Sequence, residues 1–168
     1  LSKNLNIYKG KENNMKIGDK APDFKLMDKD NNEVTLSQFR GKKVILYFYP
    51  KDNTPGCTKQ ACNFRDNYPQ IVAKGAEVIG ISKDSAKTHT NFAAKHELPF
   101  ILLSDPDAKV IEAYGAWKEK KMYGKTFLGT ERTTFLIDEE GIIVDIVNGK
   151  RMKAATNADD IMAGDFLG

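Results

Sequence analysis

The chain has two cysteines, Cys57 and Cys62, and the first closes the run Pro50-Lys51-Asp52-Asn53-Thr54-Pro55-Gly56-Cys57. That run follows an apolar stretch, Val44 to Tyr49, and leads into a segment that reads as helix from Thr58 onward. A thiol at this junction meets unpaired backbone N–H groups and the positive end of a helix dipole, both of which favour the thiolate. The thiolate is the attacking form of cysteine, so the chemistry is expected at Cys57. Its loop can assist. Thr54 can offer a hydroxyl to the sulfur and to an incoming polar oxygen, Pro50 and Pro55 restrict the loop, and Gly56 lets backbone approach a substrate closely. Arg132, entering the stretch Thr133 to Ile137, is the candidate cation beside the thiolate. A surface arginine at a strand start is the competing reading.

The cysteine spacing separates kinds of thiol chemistry. On a helical wheel Cys57 shares a face with Ala61, Phe64, Tyr68, Ile71 and Val72, whereas Cys62 lies about 140° around from it. Regular helix would hold the two Cα atoms roughly 8.5 Å apart, against the 4.4–6.8 Å or so that a disulfide requires. The pair cannot close without unwinding the first turn. Pro69 should kink or end the helix, too far along to relieve that mismatch. A structural disulfide is disfavoured at a spacing that breaks its own helix. A thioredoxin-type C-x2-C pair is excluded, since four residues intervene. His89 and His96 lie too far off to complete a zinc site of ordinary spacing. What remains is a nucleophile that reacts alone in the folded form and is captured by the second thiol after local unfolding.

The surrounding pattern supplies a scaffold for such a site. Val44 to Tyr49, Ala76 to Ile81 and Phe100 to Leu103 are continuously apolar, as strands buried on both faces are. Helical segments, Thr58 to Lys74 and Ser85 to His96, fall between them, an alternation that predicts parallel strands joined by right-handed crossovers. Phe24-Lys25-Leu26 and Val34-Thr35-Leu36 flank the turn residues Asp28 to Asn32 and predict an N-terminal hairpin. Thr133 to Ile137 and Ile142 to Val147 flank Asp138-Glu139-Glu140-Gly141 and predict a second one, before a short helix near Asn157 to Met162. The expected fold is α/β, a mixed sheet with helices on both faces.

Composition sets outer bounds. The chain of 168 residues, 40% hydrophobic and 29% charged, has the size and balance of one globular domain, here taken as residues 15–168. A net charge of +3 is too small and too dispersed to argue for nucleic acid, and Lys118-Glu119-Lys120-Lys121 reads as a solvated surface loop. No apolar run approaches the about 18 residues of a membrane span. Two cysteines do not make a secreted disulfide scaffold, so a reducing, cytoplasmic setting is expected. Residues 1–14 are polar and Lys/Asn-rich, and Met15-Lys16-Ile17-Gly18 resembles a natural start. The first fourteen residues are therefore read as an extension, with an organellar transit peptide as the alternative.

At this point the chain resembles the peroxiredoxins, specifically the Q-type group that includes the bacterioferritin comigratory proteins. Pro50, Thr54 and Cys57 match the family's P-x3-[TS]-x2-C signature. Tyr47-Phe48-Tyr49-Pro50, Thr54 to Thr58 and Gln60-Ala61-Cys62 match the Q-type group, and the similarity continues through Gly80-Ile81-Ser82, Leu103-Ser104-Asp105, Tyr123-Gly124-Lys125 and Glu131 to Asp138. The resemblance implies a thioredoxin-like fold and a thiol peroxidase. Cys57 would be the peroxidatic cysteine, oxidised by hydrogen peroxide or an organic hydroperoxide to a sulfenic acid. Cys62 would be the resolving cysteine that forms an intramolecular disulfide with it. Thr54 and Arg132 would hold the thiolate and polarise the peroxide, and Pro50 would shield the nucleophile from water. A thioredoxin-like dithiol protein would regenerate the thiols, and no metal, haem or flavin is implied. Resolution within one chain favours a monomer. The chain departs from the family after Val147, where the segment to Gly168 is short and Asn157 stands near a position where histidine is common.

Two rival functions use the same thiols: a redox-sensing or chaperone-like switch, and a disulfide reductase or isomerase. The second is disfavoured by the long cysteine offset. Of the remaining polar and aromatic residues, His89 and His96 read as a solvated helix face and Asp52 as solvent-facing, because a carboxylate near Cys57 would oppose the thiolate. Phe92 and Phe100 read as core, and Trp117 and Tyr123 as packed residues of a loop.

Overall fold

A computed structural model describes residues 15–168; the extension expected over residues 1–14 lies outside the described residues. The central strand β3 (Lys43–Phe48) shows why the sheet is covered on both sides. Ile45 and Tyr47, with Tyr49 just beyond, point into one apolar core, and Val44, Leu46 and Phe48 into the other. Alternation along one strand thus feeds two cores, and every one of these side chains is buried.

Strands β4 (Ala76–Ser82) and β5 (Ile101–Ser104) lie parallel to β3 in order, with Lys43 opposite Ala76 and Ile79 opposite Ile101. The crossover helices α1 (Pro55–Ala73) and α2 (Ala86–His96) both contribute to the core of Tyr47 and Tyr49. The N-terminal hairpin, β1 (Lys25–Asp28) and β2 (Glu33–Thr35), extends one sheet edge by pairing β1 antiparallel to β5. The short helix α3 (Lys109–Ala113) packs Ile111 into the opposite core. A separate two-stranded sheet follows, β6 (Trp117–Met122) and β7 (Lys125–Thr130). Then β8 (Thr133–Ile137) and β9 (Ile143–Val147) complete a seven-stranded mixed sheet of order β2-β1-β5-β4-β3-β8-β9. Helix α4 (Asn157–Ala163) returns to α1 and buries Ala158 and Ile161 in its core. This is the thioredoxin-like architecture expected, and the short C-terminal segment is packed.

The hairpin between β8 and β9 closes as its turn residues predict. Asp138 Oδ1 accepts hydrogen bonds from the backbone of Glu140 and Ile142, and Gly141 takes a φ of 84°. The positive φ favours glycine, and a side chain at Gly141 would also have to displace the end of the Arg40 side chain.

Several expectations are corrected. Lys118 to Lys121 form part of β6 rather than a loop; alternating lysines carry no apolar period, and pairing with β7 makes the strand. Helix α1 passes through Pro69 and runs on to Ala73. Val72 falls beyond the buried stripe of Ala61, Phe64 and Ile71 and is 46% exposed. Tyr123, at the β6–β7 turn, is 97% exposed, while Trp117 packs against the second core and lies under the Lys83 ammonium. His89 is fully buried, His96 is half-buried with its ring edge-on to Phe92, and Asp52 is buried too. Asp52 and His89 are each other's partner across 37 positions, which local sequence does not display, whereas His96 meets Phe92 one turn back in its own helix.

Candidate functional site

Helix α1 begins earlier than its apolar pattern suggests. Thr54 is the N-cap, Pro55 occupies the first helical position, and the Thr58 amide closes the first turn on the Thr54 carbonyl at 2.8 Å. Proline is suited there because its missing N–H would have been unpaired anyway. Cys57 therefore sits inside the first turn, among the free amides at the positive end of a helix 19 residues long.

The sulfur is nearly enclosed: Cys57 is 2% exposed. Arg132, in the short link between β7 and β8, donates from Nη2 to Cys57 Sγ at 3.4 Å. Its Nη1 donates to Gln60 Oε1 at 2.6 Å. A guanidinium can only donate, so Gln60 must present its oxygen to Arg132 and turn its NH2 the other way. That NH2 meets Asn157 Oδ1 at 3.1 Å, and the Thr134 hydroxyl donates to the same oxygen at 2.8 Å. Gln60, Thr134 and Asn157 are all buried. The polarity of the whole relay is thus dictated from its charged end, and the relay aims the guanidinium at the sulfur. A guanidinium N–H forms the stronger, charge-assisted kind of hydrogen bond, and here one is aimed at the sulfur.

Gly56 completes this approach. A Cβ there would lie 3.1 Å from Arg132 Nη2, so the residue before the cysteine yields its space to the guanidinium. The sequence suggested that the glycine makes room for substrate; what it accommodates in the resting site is Arg132. The Thr54 hydroxyl donates to the Lys51 carbonyl at 2.7 Å, which tightens the loop and leaves its oxygen lone pairs available. Pro50 is half-buried immediately after β3.

Cys62 is half-buried and, like Cys57, a free thiol. Both lie in one helix, so the rise and radius of a regular helix hold their Cα atoms roughly 8.5 Å apart. The sulfurs are not poised to bond in this conformation.

Sequence reasoning missed four contributors. Gln60 could have been found, because it is the polar residue interrupting the buried face between Cys57 and Phe64. Thr134 carried no signal beyond its place in a strand, and Asn157 was noted only as a departure from a pattern. Lys120 of β6 gave no signal either. Gly129, which pairs with Lys118 and lies diagonal to Lys120, has no side chain, and a Cβ there would meet Lys120 Cδ at 3.2 Å. Burial, and then repulsion from Arg132, hold the Lys120 ammonium below the ordinary lysine range, while Cys57 pulls the other way. Tyr47, buried beside Phe64 with ring centroids 4.7 Å apart, has a hydroxyl with no hydrogen-bond partner among the described residues. Burial foremost, with the negative field of Cys57, keeps that phenol protonated well above its ordinary value. Among the described residues no group of three or more His, Cys, Asp or Glu could hold a metal, and no helix is long and apolar enough to cross a membrane.

Comparison with known proteins converges on one lineage. The AhpC/TSA family model matches residues 17–146. Peroxiredoxin Bcp of Bacillus subtilis is 49% identical over 130 residues, covering 77% of this chain and 83% of that protein. A peroxiredoxin Q Cys-to-Ser variant from Xylella fastidiosa superposes with a TM-score of 0.82 at 37% identity, covering 89% of this chain and 94% of its own. The Xanthomonas campestris bacterioferritin comigratory protein, whose trapped intermediate/ligand complexes bear on its alkyl peroxide reduction activity, gives a TM-score of 0.78 at 40% identity over 83% of this chain and 88% of its own.

Proposed function

The chain belongs to the AhpC/TSA family as a thiol peroxidase of the Bcp/peroxiredoxin Q group, and from that premise we propose a two-cysteine cycle carried by Cys57 and Cys62. The Cys57 thiolate attacks one oxygen of a hydroperoxide. The O–O bond breaks, Cys57 becomes a sulfenic acid, and the departing alkoxide or hydroxide takes up a proton to leave as alcohol or water. Arg132 stabilises the thiolate at rest and stands where negative charge develops on the departing oxygen. Thr54, at the N-cap, has lone pairs that can accept from the incoming hydroperoxide O–H.

The Cys62 thiol then attacks the sulfenic sulfur, releasing water and forming a disulfide. A dithiol protein of the thioredoxin kind takes that oxidation onto its own cysteines and returns both thiols. Such a cycle suits a compartment that keeps dithiol proteins reduced. It needs no second chain, so a monomer suffices. One observation carries the reading: the buried Cys57 sulfur accepts from an arginine held in place from behind, five residues before a second free thiol in the same helix.

Consumption of hydrogen peroxide and of an alkyl hydroperoxide, coupled to a thioredoxin system, tests it. Cys57→Ser should be inactive. Cys62→Ser should consume one equivalent of peroxide per chain, stop as a sulfenic acid, and continue only with a small thiol. Wild-type turnover by Cys62→Ser with thioredoxin would overturn the resolving role. A single equivalent consumed by wild type, with no recovery on adding the dithiol protein, would favour the redox switch instead.

A further inference from the structure

Five residues upstream of Cys57 lies a second buried polar cluster that the peroxidase cycle does not use. Asp52 is 4% exposed and His89 fully buried. Asp52 Oδ2 stands 2.7 Å from His89 Nδ1, and the Tyr49 hydroxyl donates to Asp52 Oδ1 at 2.5 Å. His89 Nε2 is 3.0 Å from the Leu103 carbonyl, an acceptor, so that nitrogen carries a hydrogen. One further proton is then shared between Nδ1 and the carboxylate. The backbone of Asp52 is also tied, donating to Asp84 Oδ2 at 2.8 Å, and the Ser82 hydroxyl holds the same oxygen at 2.7 Å. Side chain and main chain of this one loop residue are thus fastened to the end of β3, to β4, to β5 and to α2. The next residue, Asn53, turns with a φ of 62°.

A matching attachment begins just past Cys62. Asn63 Oδ1 accepts from the backbone N–H groups of Ala158 and Asp159 at 2.7 and 3.1 Å. One turn on, Asn67 Nδ2 donates to Asp159 Oδ1 at 2.9 Å. Residues 53–62, with both cysteines, therefore span the interval between two fastened points.

We propose that the Asp52–His89 clamp and Asn63 are fixed pins that confine unwinding to residues 53–62 when the cysteines join, and that Asp52, held by His89, is a positioning residue governing how readily Cys57 leaves its pocket. The proposal rests on the Cys57–Cys62 cycle above. Within the interval, disulfide formation must break the bonds of Arg132 to Cys57 and to Gln60, and of Gln60 to Asn157. The bonds that survive are those anchored outside it, including Thr134 to Asn157 and both pins. Pulling one member from the clamp would strand the other inside the core as a buried unpaired group, whereas Cys57 and Gln60 leave together with the unwinding turn, whose Asn53, Pro55 and Lys59 already face solvent. The clamp therefore stays while the turn yields.

Asp52→Ala and Asp52→Asn, compared with wild type, test this. Asparagine can accept from Tyr49 and donate to the lone pair of a neutral His89, keeping the pin without its charge. Sulfenic acid formation would be followed by stopped flow, and the products at graded peroxide sorted by mass into disulfide and overoxidised thiol. In Asp52→Ala the first step should slow about tenfold, the equivalent of one buried hydrogen bond. The peroxide needed for half overoxidation should rise by a similar factor, because the loosened chain reaches Cys62 sooner. Asp52→Asn should restore both to within about twofold of wild type. A merely structural contact would lower the melting temperature and leave that partition alone. Amide exchange adds a readout independent of Asp52→Ala folding: oxidising wild type should expose residues 53–62 and stop at both pins. An unchanged partition in folded Asp52→Ala, an Asp52→Asn protein that behaves like Asp52→Ala, or exposure spreading past either pin would each overturn the proposal. Absence of a Cys57–Cys62 disulfide in oxidised wild type would instead defeat the underlying cycle.

Discussion

Two buried polar networks flank the reactive turn, and they end differently. The relay from Thr134 through Asn157, Gln60 and Arg132 terminates on Cys57 Sγ, an atom that departs in the proposed cycle. The clamp of Tyr49, Asp52 and His89 closes on the Leu103 carbonyl and includes no mobile partner. The relay brings a guanidinium to the sulfur and is dismantled in the proposed cycle. The clamp satisfies its polar groups among themselves. Asp52 lies five residues from Cys57 in the chain, yet its carboxyl is met by the Tyr49 hydroxyl and by a histidine from α2. Burial alone does not tell whether a polar group serves chemistry or architecture; where its network ends does.

If that contrast is right, damage should grade with distance from the sulfur along the relay. Arg132→Met removes the charged end and should lower the second-order rate with peroxide by about 10²–10³-fold, the usual cost of removing one preorganised donor from developing charge. Arg132→Lys should recover only part, since an ammonium lacks the flat, rigid fork whose two ends reach Cys57 and Gln60 together. Stopped-flow oxidation checks both; a loss below threefold in Arg132→Met would disconnect the relay from the chemistry. Gln60→Leu comes next. It leaves the guanidinium in place without its guide, and a loss of about tenfold is expected, one charge-assisted hydrogen bond in kinetic terms. Asn157→Leu acts one link further back and should cost about threefold, whereas Asn157→His, whose ring nitrogen can accept from Gln60, should stay near wild type. Equal losses for Gln60→Leu and Asn157→Leu would mean that the relay acts as one block rather than a graded chain.

The same contrast explains what could be read from the sequence. Strand β3 was legible because its two faces enter separate cores, leaving no polar position to obscure it. Both hairpins were legible from their turns, where Asp138 and Gly141 have local jobs. Cys57 and Arg132 stood out through residue type and motif. The clamp was misread because Asp52 and His89 are 37 positions apart, and each sits in a polar stretch where exposure is the natural inference. Strand β6 was misread for a related reason: its order comes from pairing with β7 rather than from an apolar face. Periodicity reports what a segment buries against the core, and is silent about polar groups that bury against each other. Gln60 lay between these cases, a polar residue on an otherwise buried helix face. That interruption is the one sequence signal that pointed inward.

A network with neither role supplies the low end of the scale. Asp145 and Arg151 form a two-pronged pair at 3.1 and 3.0 Å near the C-terminal segment, with Arg151 also donating to the Ile146 carbonyl at 2.9 Å. The Arg151 hydrogen bond, above all, holds the Asp145 carboxyl below its ordinary value. Both side chains reach solvent, so the pair should contribute only ~0.5 kcal/mol. A carboxyl with a depressed folded-state pKa stabilises fully above its unfolded value, about pH 4, and that contribution fades as pH falls through the lower folded value. Arg151→Ala should therefore melt slightly below wild type at pH 7, the gap should close in acid, and the peroxide rate should not change. A rate loss comparable to that of Gln60→Leu would show that the C-terminal segment reaches the thiol by a route other than Asn157, and the relay would no longer be the sole carrier of position from that side.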